Sequence, residues 1–180
     1  ACAAADVDVI VVPSGSCTAM IRDYWPRLLA TGTMPDGLVE TAVARAREFT
    51  ELLAELAPEP VSPVTRDEIV YHESCHMSRL LGLSDEPLAV VAGSGAAPIG
   101  HAATGRCCGF GGTFAIKFPE LSVAMADEVL DAMAATDATT VTGCDLSCLL
   151  QLSSRASWRG LDLSFIHVAE LAAGTAPASS

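Results

Sequence analysis

The run Cys107-Cys108-Gly109-Phe110-Gly111-Gly112 constrains this chain more than any other stretch. Two adjacent thiols followed by glycines cannot sit inside a packed helix or strand, where each glycine costs roughly 0.5–1 kcal/mol. The run therefore reads as a loop that brings backbone close to something. Cys75 lies upstream of it, and Cys144 and Cys148 lie downstream. Thiols from three separate segments form a candidate ligand set.

The surrounding pattern alternates strands with helices. Asp6–Val12 is apolar and β-branched and stops at Pro13-Ser14-Gly15, as a buried parallel strand ending in a turn does. Thr18–Leu29 returns to helical character, with Pro26 dividing or kinking it. From Gly37 to Leu56 the spacing of Leu38, Ala42, Ala46, Phe49, Leu53 and Leu56 predicts one continuous helix. Ala57–Pro63 holds three prolines and reads as a linker. Beyond it, strands are expected at Glu68–Tyr71, weakly at Pro98–Ala102, at Thr139–Thr142 and at Leu161–Ile166. Helices are expected at Leu88–Ala92, from Pro119 with Leu121, Met125, Val129 and Met133 on one face, after Cys148, and at His167–Ala172, before a frayed TAPASS end. This is α/β architecture, a parallel-stranded sheet with flanking helices, in which ligands bind beyond the carboxyl ends of the strands. Cys17, Cys75 and Cys148 each fall at such a corner, where helix amides and the helix dipole favour a thiolate.

The chain also echoes itself. Val11–Cys17 followed by Ala19, Met20 and Ile21 matches Val141–Cys148 followed by Leu149, Leu150 and Leu152: strand, small-residue turn, Ser-Cys, apolar helix. The expected division is a complete module over residues 61–180, preceded over residues 1–60 by the C-terminal remnant of a similar module whose own cysteine pair is missing.

Seven cysteines is an odd count, and the opening residues lack a basic segment followed by an apolar core. A reducing, cytoplasmic compartment is expected, where clustered thiols signal metal or redox chemistry more often than disulfides. Adjacent cysteines suit an iron–sulfur cluster, since neighbouring thiolates can reach different irons; a single zinc and inert buried thiols are the alternatives. The net charge of −12 repels a phosphate backbone, which excludes nucleic acid as a partner. The apolar runs fall far short of the ~20 residues of a membrane span.

Four motifs together carry a resemblance: Tyr-His-x-x-Cys-His at 71–76, Cys-Cys-Gly-Phe-Gly-Gly at 107–112, Pro-Glu-x-Ser-x-x-Met-Ala at 119–126 and Ser-Cys-Leu at 147–149. They resemble the cysteine-rich CCG family, which includes the cysteine-rich component of heterodisulfide reductase and the iron–sulfur component of glycolate oxidase. With Val-Val-Pro-Ser-Gly-Ser-Cys at 11–17, the chain is most similar to the lactate-utilisation branch. The resemblance implies a redox subunit of a flavin-free complex oxidising L-lactate to pyruvate, either catalysing that step or relaying electrons. Its implied partners are a ferredoxin-like iron–sulfur subunit and a third small subunit. A heterodisulfide-reductase-like or glycolate-oxidase-like subunit is the alternative within the same chemistry, and a zinc-binding interaction module the alternative outside it. The implied cofactor is a [4Fe–4S] cluster, with a non-cubane form known in the family. Carried onto this chain, its ligands are Cys75, Cys107, Cys108, Cys148 and Cys144, with Cys17 as a further candidate. Here Cys144 and Cys148 are spaced C-x-x-x-C, whereas the family's motif closes with C-x-x-C.

His72-Glu73-Ser74-Cys75-His76 also matches H-E-x-x-H, the zinc-peptidase pattern, but it follows a strand directly and no third ligand is evident. His72 and His76 are better candidates for groups near the cluster or a small 2-hydroxy acid substrate, against a bland role in bracing the loop. Lys117 could attract a substrate carboxylate or be a solvated surface lysine. Arg22 and Arg79 stay open, and His101 and His167 show no pattern that assigns them a role. The glycine run lacks Walker spacing, which discounts a nucleotide site. Cys2 reads as a free surface thiol.

Overall fold

The computed structural model describes residues 7–29, 37–56 and 67–175. Cys2, the proline-rich segment 57–63 and the tail from residue 176 lie outside the described residues. The first described unit pairs β1 (Ile10–Val12) in parallel with β2 (Ala46–Glu48). Between them lie α1 (Gly15–Ala19), a π-helical turn (Met20–Tyr24), α2 (Trp25–Leu28) and α3 (Leu38–Arg45); α4 (Phe49–Leu56) follows β2.

The helix expected over 37–56 is thus two helices with a strand between them. Ala-Arg-Glu at 46–48 favours a helix locally. The register Ile10↔Ala46, Val11↔Arg47 and Val12↔Glu48 overrides that preference, and the Arg22 side chain fastens the Ala46 carbonyl at 2.9 Å.

The larger sheet is fully parallel in the order β4 (Ala97–Ile99), β3 (Glu68–Tyr71), β5 (Thr140–Gly143), β6 (Ser164–His167). Pro98 lies in β4, an edge strand, where its missing N–H is tolerated. β6 begins at Ser164 rather than Leu161, because Leu163 donates to the Leu161 carbonyl and closes a tight turn first.

The sheet separates two cores. On one face Val70 and Val141 pack against Leu130, Met133 and Leu152 from α7 (Pro119–Ala134) and α8 (Leu146–Arg159). On the other, Ile69, Tyr71 and Ile166 pack with Val90, Val91 and Leu171 from α5 (Asp85–Gly93) and α9 (Val168–Ala172). Each large side chain so buried contributes roughly 1.5–3 kcal/mol.

The buried stripe of α7 is Ser122, Ala126, Val129, Leu130 and Met133. Leu121, expected on that face, is exposed. A Gly-rich loop and short α6 (Thr113–Lys117) precede α7. No helix among the described residues is long and apolar enough to cross a membrane.

The smaller unit docks on the larger through α4 and through the α1 turn. Phe49 and Leu53 of α4 pack into the second core. α1 approaches so closely that a Cβ on Gly15 would lie 2.6 Å from the Met77 sulfur. The same order of elements occurs twice: β1, helices, β2 and α4, then β5, α8, β6 and α9. In both, a side chain at the end of the second strand starts the last helix. Glu48 accepts from the Thr50 amide at 2.6 Å, and His167 accepts from the Ala169 amide at 3.1 Å.

Candidate metal centre

Each of three strand ends delivers thiols to one corner. β3 ends at Tyr71, and Cys75 follows in the first helical residues before a π-helical turn at Met77–Leu81, which Gly82 closes at φ 69°. The loop after β4 carries Cys107 and Cys108. β5 leads to α8, where the Cys148 amide donates to the Asp145 carbonyl at 3.0 Å. Cys148 therefore stands in the first turn of a long helix, at the end that favours a thiolate.

The four cysteines influence one another in sequence, Cys75 with Cys107, Cys107 with Cys108 and Cys108 with Cys148, and the Cys108 and Cys148 sulfurs lie within 4.8 Å of each other. Donors from Cys108 and Cys75 pull Cys107 well below the ordinary thiol value despite burial, helped by the Gly109 amide at 3.4 Å. A bond from Cys108 lowers Cys148 in the same way, against burial and with help from His72. Cys75 is pushed up by its bond to Cys107, and Cys108 by its bonds to Cys107 and Cys148. Four cysteine sulfurs thus share one corner, a donor set suited to a soft metal. The Phe110 amide acts the other way on Cys108 and favours its thiolate.

The glycine loop makes these amide contacts possible. Gly109 sits at φ 83°, and a Cβ there would come within 2.3 Å of the Ser122 carbonyl oxygen. The Ser122 hydroxyl returns a 2.8 Å bond to the Gly109 carbonyl, tying the loop to α7.

Other residues singled out from the sequence separate into near and far. His72 is buried, and one of its ring nitrogens lies within 4.8 Å of the Cys108 and Cys148 sulfurs, which also lie within 4.8 Å of each other. The His76 Nδ1 is 3.8 Å from the Cys75 sulfur. Arg79, donating at 2.8 Å to the Gly105 carbonyl, favours the Cys75 thiolate by its charge. Lys117 is exposed on α6.

Cys144 does not join the thiol chain. It belongs to the opposite core, where its sulfur lies 3.6 Å from the Tyr71 hydroxyl. Burial and then the Glu48 charge push its thiol upward. Cys17 is exposed in α1, its amide capped by Ser14 at 3.4 Å.

Two residues gave no functional signal in the sequence. His101 stacks on His72 with ring centroids 6.5 Å apart, and both its ring nitrogens are buried without partners. Burial, and then the neighbouring imidazole, lower it to about 4. Asp145 accepts from the Ser14 hydroxyl at 2.8 Å, the Ser16 amide at 2.9 Å and the Ser74 hydroxyl, joining the Cys17 turn to the Cys75 turn. Only its place between two cysteines could have drawn attention to it.

A parallel α/β sheet with four thiols gathered at one rim defines a cysteine-rich redox- or metal-type domain. The chain belongs to the cysteine-rich CCG family, whose domain matches residues 69–153. It is 37% identical over 171 residues to lactate utilization protein A of Exiguobacterium sp., covering 93% of this chain and 69% of that protein. It is 36% identical to the protein of the same name from Geobacillus kaustophilus, covering 93% and 70%. The Shouchella clausii protein is 35% identical with the same coverage.

Proposed function

We propose that this chain is the iron–sulfur subunit of a cytoplasmic lactate-oxidising system, its cluster held by Cys75, Cys107, Cys108 and Cys148. The carrying observation is the gathering of four cysteines from three segments at one corner, with the Cys108 and Cys148 sulfurs within 4.8 Å of each other and the Gly109 amide 3.4 Å from the Cys107 sulfur. Similarity to proteins named for lactate utilization supports the substrate. Cysteine thiolates are the usual ligands of iron–sulfur clusters, and hydrogen bonds to their sulfurs tune the potential. A bound [4Fe–4S] cluster would supply one-electron chemistry.

The chain's own residues would set access to that corner. Cys75 and Cys107 are the half-buried members, and His76 and Arg79 lie beside Cys75, so a 2-hydroxy acid carboxylate would be drawn to this side. The buried Cys108 and Cys148 sit behind it, screened from water. Electrons would pass to a ferredoxin-like partner, with a third small subunit completing the complex. On this reading residues 61–180 form the cluster-bearing module, and residues 1–60 resemble the second half of such a module.

Anaerobic reconstitution with ferrous iron and sulfide tests the assignment. Several irons per chain with matching sulfide, and broad visible absorption lost in Cys107→Ser, are expected. Uptake of a single zinc with no iron and no sulfide would overturn it.

A further inference from the structure

We propose that His72 supplies a nitrogen ligand to the metal held by Cys108 and Cys148, so that the centre has a mixed sulfur and nitrogen donor set. This rests on the metal-centre reading above and goes beyond its four cysteines.

The spacing comes first. The two sulfurs and one His72 nitrogen all lie within 4.8 Å of one another. Ligands of one tetrahedral ion, at metal–sulfur and metal–nitrogen bonds of about 2.3 and 2.0 Å, stand roughly 3.4–3.8 Å apart. Small side-chain rotations close that difference.

Burial supplies an independent observation. His72 is 2% exposed, and its Nε2 is buried with no hydrogen-bond partner. A buried ring nitrogen without a partner calls for one; His101 shares that state, but of the two rings it is His72 that has a nitrogen within 4.8 Å of both sulfurs, where an ion would supply the partner.

The backbone holds this ring in place. The His72 amide donates to the Thr142 carbonyl at 2.8 Å, which extends the pairing of β3 with β5 by one residue beyond Tyr71. That residue belongs to the face of Val70, the same core that contains Cys108 and Cys148. A Cβ on Gly143 would meet the His72 carbonyl at 3.1 Å, so glycine lets the two strand ends approach closely without crowding.

The thiol that could have supplied a further donor, Cys144, faces the other core. His101 packs against His72 but is not in the close group with the sulfurs, and so acts as a wall that orients the ring. A neutral imidazole as the added donor brings no further negative charge, so the centre's potential lies above that of a site with a fifth thiolate instead.

The test uses the full chain labelled with ¹⁵N-histidine and reconstituted anaerobically with iron and sulfide. Pulsed electron paramagnetic resonance of its paramagnetic state should show a strongly coupled ¹⁵N nucleus, retained in His101→Gln and lost in His72→Cys. A loaded wild-type chain with no such coupling overturns the proposal, as does coupling that survives His72→Cys. If the wild type takes up no iron, the cluster reading fails separately, and Co²⁺ alone becomes the probe. X-ray absorption showing one nitrogen among sulfurs, lost in His72→Ala, then supports His72. A shell unchanged by that substitution, or no Co²⁺ bound, overturns the role.

Discussion

The Asp145 carboxylate accepts a 2.8 Å bond from the hydroxyl of Ser14, a residue 131 positions earlier in the chain. Asp145 sits at the start of α8 yet makes no side-chain cap on its own helix. It caps the Ser14–Ser16 turn instead and holds Ser74, the neighbour of Cys75, with its other oxygen. One carboxylate therefore fixes three strand-to-helix turns. Burial alone would raise it, but bonds from Ser74, Ser16 and Ser14 outweigh burial and hold it below its ordinary range.

Removing that carboxylate leaves buried donors unsatisfied, each costing about 1–3 kcal/mol. Asp145→Ala should lower the unfolding free energy by at least about 2 kcal/mol. Asp145→Asn should lose less, because its remaining oxygen still accepts and the serine hydroxyls can turn to accept its amide. Urea unfolding of the three proteins checks the order, and an alanine variant as stable as wild type would contradict it.

Gly109 and Gly112 give a paired test of the cysteine loop. Both have positive φ, at 83° and 59°, so alanine at either position carries left-handed strain of about 1–2 kcal/mol. Only at Gly109 would the new Cβ collide with backbone, at 2.3 Å from the Ser122 carbonyl oxygen; around Gly112 nothing lies within 4 Å. Gly109→Ala should therefore displace the loop and lower metal retention. Gly112→Ala should keep the metal and lose only the strain energy. Iron content after gel filtration, alongside thermal unfolding, separates the two.

Cys144 and Cys148 should behave as different kinds of residue. Cys144→Ala removes a fully buried sulfur that touches Tyr71, creating a small cavity and costing about 1 kcal/mol. It should leave metal content unchanged. Cys148→Ala removes the sulfur bonded to Cys108 and should lower metal content sharply. Metal loss of equal size in both variants would return Cys144 to the ligand set.

That contrast shows where sequence reading stops. Cys107 and Cys108 were legible because glycines leave their segment no regular structure, and Cys75 and Cys148 because each follows an apolar strand. Cys144 entered the ligand set through the resemblance, from which its C-x-x-x-C spacing to Cys148 already departs. It is still on the strand course, where a shift of one residue reverses the face, and it points away with Tyr71. The β2 strand was illegible for another reason: Ala46-Arg47-Glu48 has helical propensity, and only the distant partner Ile10–Val12 makes it extended. His101 lies in an irregular loop with no period to read, so its stacking on His72 appears only when the chain folds.

Glu48 gives a pH test of the opposite sign to Asp145. It is fully buried at the end of β2. Burial raises its pKa, and bonds from the Thr50 hydroxyl and amide and from the Glu51 amide offset this only in part. The folded state therefore binds its proton more tightly than the unfolded state does. This favours folding below the unfolded value and is lost as pH rises through the folded one, above which ionised Glu48 is a net cost. Glu48→Gln keeps an oxygen for the same three donors and removes that ionisation. The variant should gain stability over wild type as pH increases from about 4 to about 8, with no gain at the acid end. Urea midpoints across this range check it: a wild-type advantage that grows with pH would mean the charged carboxylate stabilises the β2–α4 turn.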